Sequence, residues 1–193
     1  MGHLAVASVT LHGLALDQVL FVVAHRPWQK VGTRQIADSQ LRLDMVAAAT
    51  ADRDDLVASS VEIDRGGSSY TIDTVEQLQR DLPTTEFVLV VGSDVVADLH
   101  TWHRHDELRH MVSLGIVDRP GTVGVEPPAG WSANRVSAPL VDLSSSMLRA
   151  RMAAGEPVDY LVPRAALDVY KQWQTEHPGD IQSASDSPSE SSE

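Results

Sequence analysis

Five short runs of β-branched and apolar residues constrain this chain most: VLFVVA (19–24), VASSVEI (57–63), EFVLVV (86–91), MVSLGIV (111–117) and VSAPLV (136–141). Strands so uniformly apolar are covered on both faces, and strands that alternate with helices pair in parallel. Helical spacing fills the intervals. It places helices over 4–16, 41–50, 71–82 and 164–174, with inward stripes of Leu41, Met45 and Ala48 or Ala49, of Ile72, Val75, Leu78 and Leu82, and of Leu167, Tyr170 and Trp173. Asp73 and Glu76 fall in the first turn of the third helix, where the dipole favours them, and Pro163 precedes the last. The expectation is an α/β fold, a doubly wound parallel sheet. Such sheets bind ligands beyond the carboxyl ends of their strands, so site residues should follow strands closely.

Composition narrows the function. The 193 residues, 42% hydrophobic and 22% charged, suffice for one domain with a real core. A domain over 1–175 is expected to end in an acidic, Ser-rich tail over 176–193, which carries five acids and no Lys or Arg and is read as disordered. Without those five charges the formal net charge of −12 becomes −7, which argues against general affinity for nucleic acid or an anionic membrane. A phosphate ligand would need a local site. There is no cysteine, no apolar run of membrane-spanning length and no signal-peptide layout, so a soluble cytoplasmic protein is expected.

Four stretches follow strands. AHRPWQK contributes His25, Arg26 and Lys30; GSDVVADLHTW contributes Gly92, Asp94 and Trp102; DRPG contributes Arg119. LSSSMLRARMAAG places a Ser at the start of a helix that stops at Gly155. A helix N-terminus turns free N–H groups and a partial positive charge outward, and Ser145, Ser146 and Arg149 add hydroxyl and guanidinium donors. Ser at such a position is also common for purely structural reasons. The histidines at 100, 103, 105 and 110 lack the spacing of a metal site, so no protein-held metal is expected.

The order of the set is more specific than any member. His3, RPWQK (26–30), IDRGGSSYTIDT (63–74), VGSDVVADLHTWHRHDEL (91–108), VDRPG (117–121), LSSSMLRAR (143–151) and YLVPRAALDVY (160–170) together resemble the nicotinate-nucleotide adenylyltransferases of the HxGH nucleotidylyltransferase superfamily. The resemblance implies a Rossmann-like fold and transfer of the adenylyl group of ATP to nicotinate mononucleotide, giving nicotinate adenine dinucleotide and pyrophosphate in NAD biosynthesis. It implies Mg²⁺ held mainly by substrate phosphates, and leaves a homo-oligomer open. His3 and Arg149 would be catalytic. Gly92, Asp94, Arg119, Ser144, Ser145, Ser146 and Arg149 would bind ATP, and Lys30, Tyr70, Thr71, Trp102 and His103 the nicotinate nucleotide.

The resemblance is incomplete at one place. The family signature is a strand followed by G-G-[ST]-F-D-P-x-H-x-G-H, and this chain carries only its last two residues, Gly2 and His3. The first strand, expected at the centre of the sheet, and the first His are therefore missing, which would leave two strand edges exposed. A start placed too late is the reading favoured; the alternatives are a non-catalytic nucleotide-binding paralogue and a related nucleotidylyltransferase with another phosphate acceptor.

Overall fold

A computed structural model describes residues 1–26, 37–118, 124–139 and 143–177. Helix α1 (Gly2–Gly13) leads into strand β1 (Val19–Val22), then α2 (Ser39–Thr50), β2 (Leu56–Ser59) and the short α3 (Val61–Arg65). Helix α4 (Thr71–Asp81) precedes β3 (Val88–Gly92), a 3₁₀ turn (Val96–Thr101) and α5 (His105–Met111). Strands β4 (Ser113–Asp118) and β5 (Ala133–Ser137) follow, then α6 (Ser145–Ala153) and α7 (Arg164–Glu176). The expected tail lies outside the described residues from 178 onward.

The α/β class is as the sequence implies, with local differences: the first helix, expected over 4–16, spans Gly2–Gly13, and the chain leaves it through Ala15 at φ 50°. The run 57–63 is only half strand, because Ser60 turns the chain into a helix: its hydroxyl donates to Asp64 Oδ2 at 2.6 Å and its carbonyl accepts from the Asp64 N–H. The last strand, expected over 136–141, runs from 133 to 137 and stops before Pro139, which has no N–H for a ladder. Leu82, expected inward, is 44% exposed, because α4 ends at Asp81, just ahead of Pro83.

Every ladder is parallel, but the strands form two sheets. β1 pairs with β2 in a register from Val19–Leu56 to Val22–Ser59. β4 lies between β3 and β5, with Val88 opposite Ser113 and Leu114 opposite Ala133. No ladder joins β1 to β3 among the described residues, and the facing edges border a cavity of about 930 Å³.

The core lies on the three-stranded side. Val91, Val96, Leu99, Leu114 and Ile116 form one cluster, and Ile72, Val75, Leu108 and Val112 a second; Leu89, Trp102 and Trp131 pack against both. α1 packs on β4 and β5. Its exit comes so close that a Cβ on Gly115 would lie 2.8 Å from Leu14 Cδ1, so the missing side chain lets Leu14 settle on the strand. On the other side α2 packs on β2 and α7. Its N-terminus is capped by Asp38, whose Oδ1 accepts from Gln40 N–H at 2.8 Å and Leu41 N–H at 3.4 Å. No helix among the described residues is long and apolar enough to cross a membrane.

Leu114 is fully buried at the middle of the larger sheet. Leu114→Ala is expected to lower unfolding free energy by about 2–5 kcal/mol, read from urea denaturation at constant m-value.

Candidate functional site

The carboxyl end of β1 is tied to the loop before α4. Ser69 Oγ accepts from the N–H groups of His25 (2.9 Å) and Arg26 (3.3 Å), and Ser69 N–H donates back to the Arg26 carbonyl at 3.2 Å. The approach to Ser69 needs two left-handed residues, and Gly66 and Gly67 supply them at φ 70° and 73°. Arg42, from α2, donates to the His25 carbonyl at 3.3 Å.

That loop delivers Tyr70 and Thr71 to the start of α4. Tyr70 is extended and no side chain caps the helix, so the first turn of α4 meets the site with its backbone donors. The Tyr70 ring lies 4.5 Å from the His103 ring, tilted by 35°. Trp102 is half-buried, packed against both core clusters, and borders the cavity beside Thr71. Four residues predicted to bind one ligand therefore come together, and Trp102 is at once part of the core and part of the cavity wall.

Arg104 holds this arrangement in place. It sits in the left-handed region at φ 51° and starts α5, and its guanidinium donates to Glu107 at 2.6 and 2.8 Å and to Glu76 of α4 at 2.7 Å, with Asp73 at 3.8 Å. Hydrogen bonds to Glu107 and then Glu76 raise the guanidinium pKa above its ordinary value, and the bond from Arg104 holds the Glu107 carboxyl below the usual range. Nearby, Glu62 is buried and accepts the Thr74 hydroxyl at 2.6 Å, while Arg65 donates to the same hydroxyl at 3.0 Å. Sequence reasoning singled out neither Arg104, Glu62 nor Ser69. The paired glycines ahead of Ser69 were a usable signal; Glu62 was hidden by reading its segment as a strand.

The other predicted residues stand at the remaining strand ends. Gly92 closes β3, the next residue, Ser93, is 1% exposed, and Asp94 is exposed on the turn. Asp118, at the end of β4, pairs with Arg135 at 2.8 Å. Ser144 caps α6 by accepting from Met147 N–H at 3.1 Å, and Ser145 and Ser146 stand in the helix's first turn. Arg149 is one turn further and exposed. His3 lies in the first turn of α1; since α1 runs back from the carboxyl side to start β1, its N-terminus belongs to the same side of the sheet. Lys30 and Arg119 lie outside the described residues.

Arg104→Gln should reduce stability near neutral pH, with the difference from wild type shrinking as acid is added. Glu107's lowered pKa means the ion cluster contributes fully above the ordinary glutamate value and is lost as pH falls through the lowered one. Urea midpoints of both proteins at pH 7 and pH 3 check this; a constant gap would count against the cluster.

The cytidylyltransferase-like family model matches residues 1–151. A probable nicotinate-nucleotide adenylyltransferase from Exiguobacterium sibiricum is 35% identical over 173 residues, covering 90% of each chain. One from Frankia alni is 40% identical over 165 residues, covering 84% of this chain and 86% of that one, and one from Thermus thermophilus is 38% identical over 170, covering 88% of each. Among solved structures, Plasmodium falciparum nicotinic acid mononucleotide adenylyltransferase complexed with NaAD superposes with a TM-score of 0.67 at 12% identity, over 90% of this chain and 88% of that one, which establishes likeness of fold.

Proposed function

We propose that this chain, which belongs to the cytidylyltransferase-like family and within it to the nicotinate-nucleotide adenylyltransferases, transfers the adenylyl group of ATP to nicotinate mononucleotide in NAD biosynthesis. The observation that carries the acceptor assignment is the meeting of Tyr70 and Thr71 at an uncapped helix start with the Trp102–His103 loop. It offers a flat aromatic wall beside backbone donors, which suits a planar ring bearing a carboxylate.

A phosphate oxygen of the mononucleotide attacks the α-phosphorus of ATP, the bond from that phosphorus to the bridging oxygen breaks, and pyrophosphate leaves. No covalent enzyme intermediate is needed, so the protein's work is alignment and charge stabilisation. Alignment of two bound reactants can supply about 7–11 kcal/mol. Ser144, Ser145 and Ser146 at the start of α6, with Arg149, would hold the ATP phosphates. His3 would donate to the transferring phosphate as charge builds. Gly92 lets the backbone approach the adenosine, and Asp94 accepts from its ribose. Trp102 stacks on the pyridine ring, while N–H groups near Thr71 and His103 meet its carboxylate. Lys30 and Arg119 are assigned further contacts to the mononucleotide and to ATP.

Mg²⁺ is assigned to the substrate phosphates and water, as suits an ion that dehydrates reluctantly. The ion would neutralise charge on the leaving pyrophosphate. A reducing compartment supplied with ATP, the cytoplasm, is the setting that a cysteine-free chain with this activity suits.

Protein, ATP and Mg²⁺ mixed with nicotinate mononucleotide should release pyrophosphate, and its amide should do so more slowly. No release with either refutes the activity; preference for the amide overturns the acceptor. Arg149→Ala should raise KM for ATP roughly 10- to 150-fold, the loss of a charged hydrogen bond of about 1.5–3 kcal/mol. Trp102→Ala should raise KM for nicotinate mononucleotide roughly 2- to 10-fold, reflecting a stacking contribution of about 0.5–1.5 kcal/mol. Equal effects of either change on both substrates would contradict these roles.

A further inference from the structure

Glu62 is an acid where burial selects against one. It stands in the first turn of α3 and is 7% exposed. A buried carboxylate is costly unless hydrogen bonds replace its water, and here the Thr74 hydroxyl of α4 does so at 2.6 Å. A threonine inside a helix ordinarily returns its hydroxyl proton to the carbonyl three or four residues back. Thr10, Thr50 and Thr175 do this, donating to Val6, Val46 and Lys171 at 2.9, 3.1 and 3.0 Å. Thr74 differs. The Tyr70 carbonyl lies 3.3 Å from its hydroxyl, farther than the carboxylate, and a hydroxyl has one proton to give, so the proton goes to Glu62. The Thr74 oxygen in turn accepts from Arg65 Nη2 at 3.0 Å, and Arg65 Nη1 donates to Gln77 Oε1 at 3.4 Å. α3 thus grips α4 at 74 and 77, neighbours one turn apart on the helix surface.

We propose that Glu62 is a positioning residue for the acceptor end of the candidate site: by drawing the Thr74 proton away from the Tyr70 carbonyl, it sets the first turn of α4 and with it Tyr70 and Thr71. This role rests on the placement of nicotinate mononucleotide at that turn proposed above. The Tyr70 carbonyl closes the turn by accepting the Thr74 N–H at 3.3 Å. A hydroxyl bonded to the same carbonyl would bend the helix there, and would shift the Thr71 N–H and the Tyr70 ring against Trp102 and His103. The carboxylate suits the task in two further ways. Its charge lies beside the positive end of the α4 dipole. It also shares the Thr74 oxygen with the Arg65 guanidinium, so the two charges offset each other and the turn presents no unbalanced negative charge to an anionic ligand. Glu62 acts through Thr74 and needs no contact with the substrate. Its influence belongs to the mononucleotide, because the ATP phosphates are assigned to the start of α6, a separate element.

The test compares three variants of the full chain with wild type. Thr74→Val keeps the shape and removes the hydroxyl, Thr74→Ser restores it, and Glu62→Asp keeps the charge but withdraws the carboxylate by one methylene. Pyrophosphate release gives kcat and KM for each substrate, calorimetry gives Kd for nicotinate mononucleotide alone, and urea midpoints report stability. Thr74→Val is expected to raise KM and Kd for the mononucleotide roughly 5- to 30-fold while KM for ATP stays within about twofold. Thr74→Ser should return both close to wild type. Glu62→Asp should show the same split more weakly, and it carries the test where Thr74→Val does not fold. Equal rises in KM for both substrates, a serine variant no better than valine, or variants with lower urea midpoints and wild-type KM would overturn the role. Wild-type protein that releases no pyrophosphate with either acceptor would strike the acceptor assignment and this role together; wild-type activity with an unsplit response in the variants strikes this role alone.

Discussion

Every strand pair among the described residues is parallel, and a parallel pair forms only if the chain crosses back over the sheet between one strand's carboxyl end and the next strand's amino end. The helices are those crossovers. The same constraint gathers chemistry on one side: Ser69 under the exit of β1, Asp94 beyond β3, Asp118 at the end of β4 and the α6 N-terminus beyond β5 all stand at carboxyl ends. A ladder needs strands on both sides of an interior position, and between β1 and β3 the described residues leave that position open.

The pairing of α4 with the loop that follows β3 adds one wall of the cavity, lined by Thr71 and Trp102. Trp102 is fixed by packing on both core clusters, and His103 by the Tyr70 ring. Arg104 then locks the loop to α4 through Glu76 and to α5 through Glu107. The ion cluster is solvent-exposed and its weight lies in geometry more than in stability. A strained left-handed residue is kept where three carboxylates converge on its side chain.

The class of fold was legible because strand and helix periods differ and because apolar strands of this kind are buried on both faces. Boundaries were less legible where a side chain outweighed the pattern, as when Ser60 and Asp64 draw the segment after β2 into a helix, or where Pro139 ends β5. The grouping of Tyr70, Thr71, Trp102 and His103 could be anticipated from motif order. The supports beneath them could not. Arg104 makes its contacts across 28 residues of sequence to Glu76, and Ser69 bonds to His25 across 44. Such contacts exist only once parallel pairing has set the strand ends side by side.

Backbone NMR with the two substrates added separately tests the account most directly. The account places nicotinate mononucleotide at the start of α4 and the Trp102–His103 turn, and the phosphates of a non-hydrolysable ATP analogue at the start of α6. It therefore requires the amides of Thr71 and His103 to shift with the mononucleotide and those of Ser145 and Ser146 to shift with the ATP analogue. Shifts from both ligands at a single one of these places, or confined to α2 and α7, would contradict it.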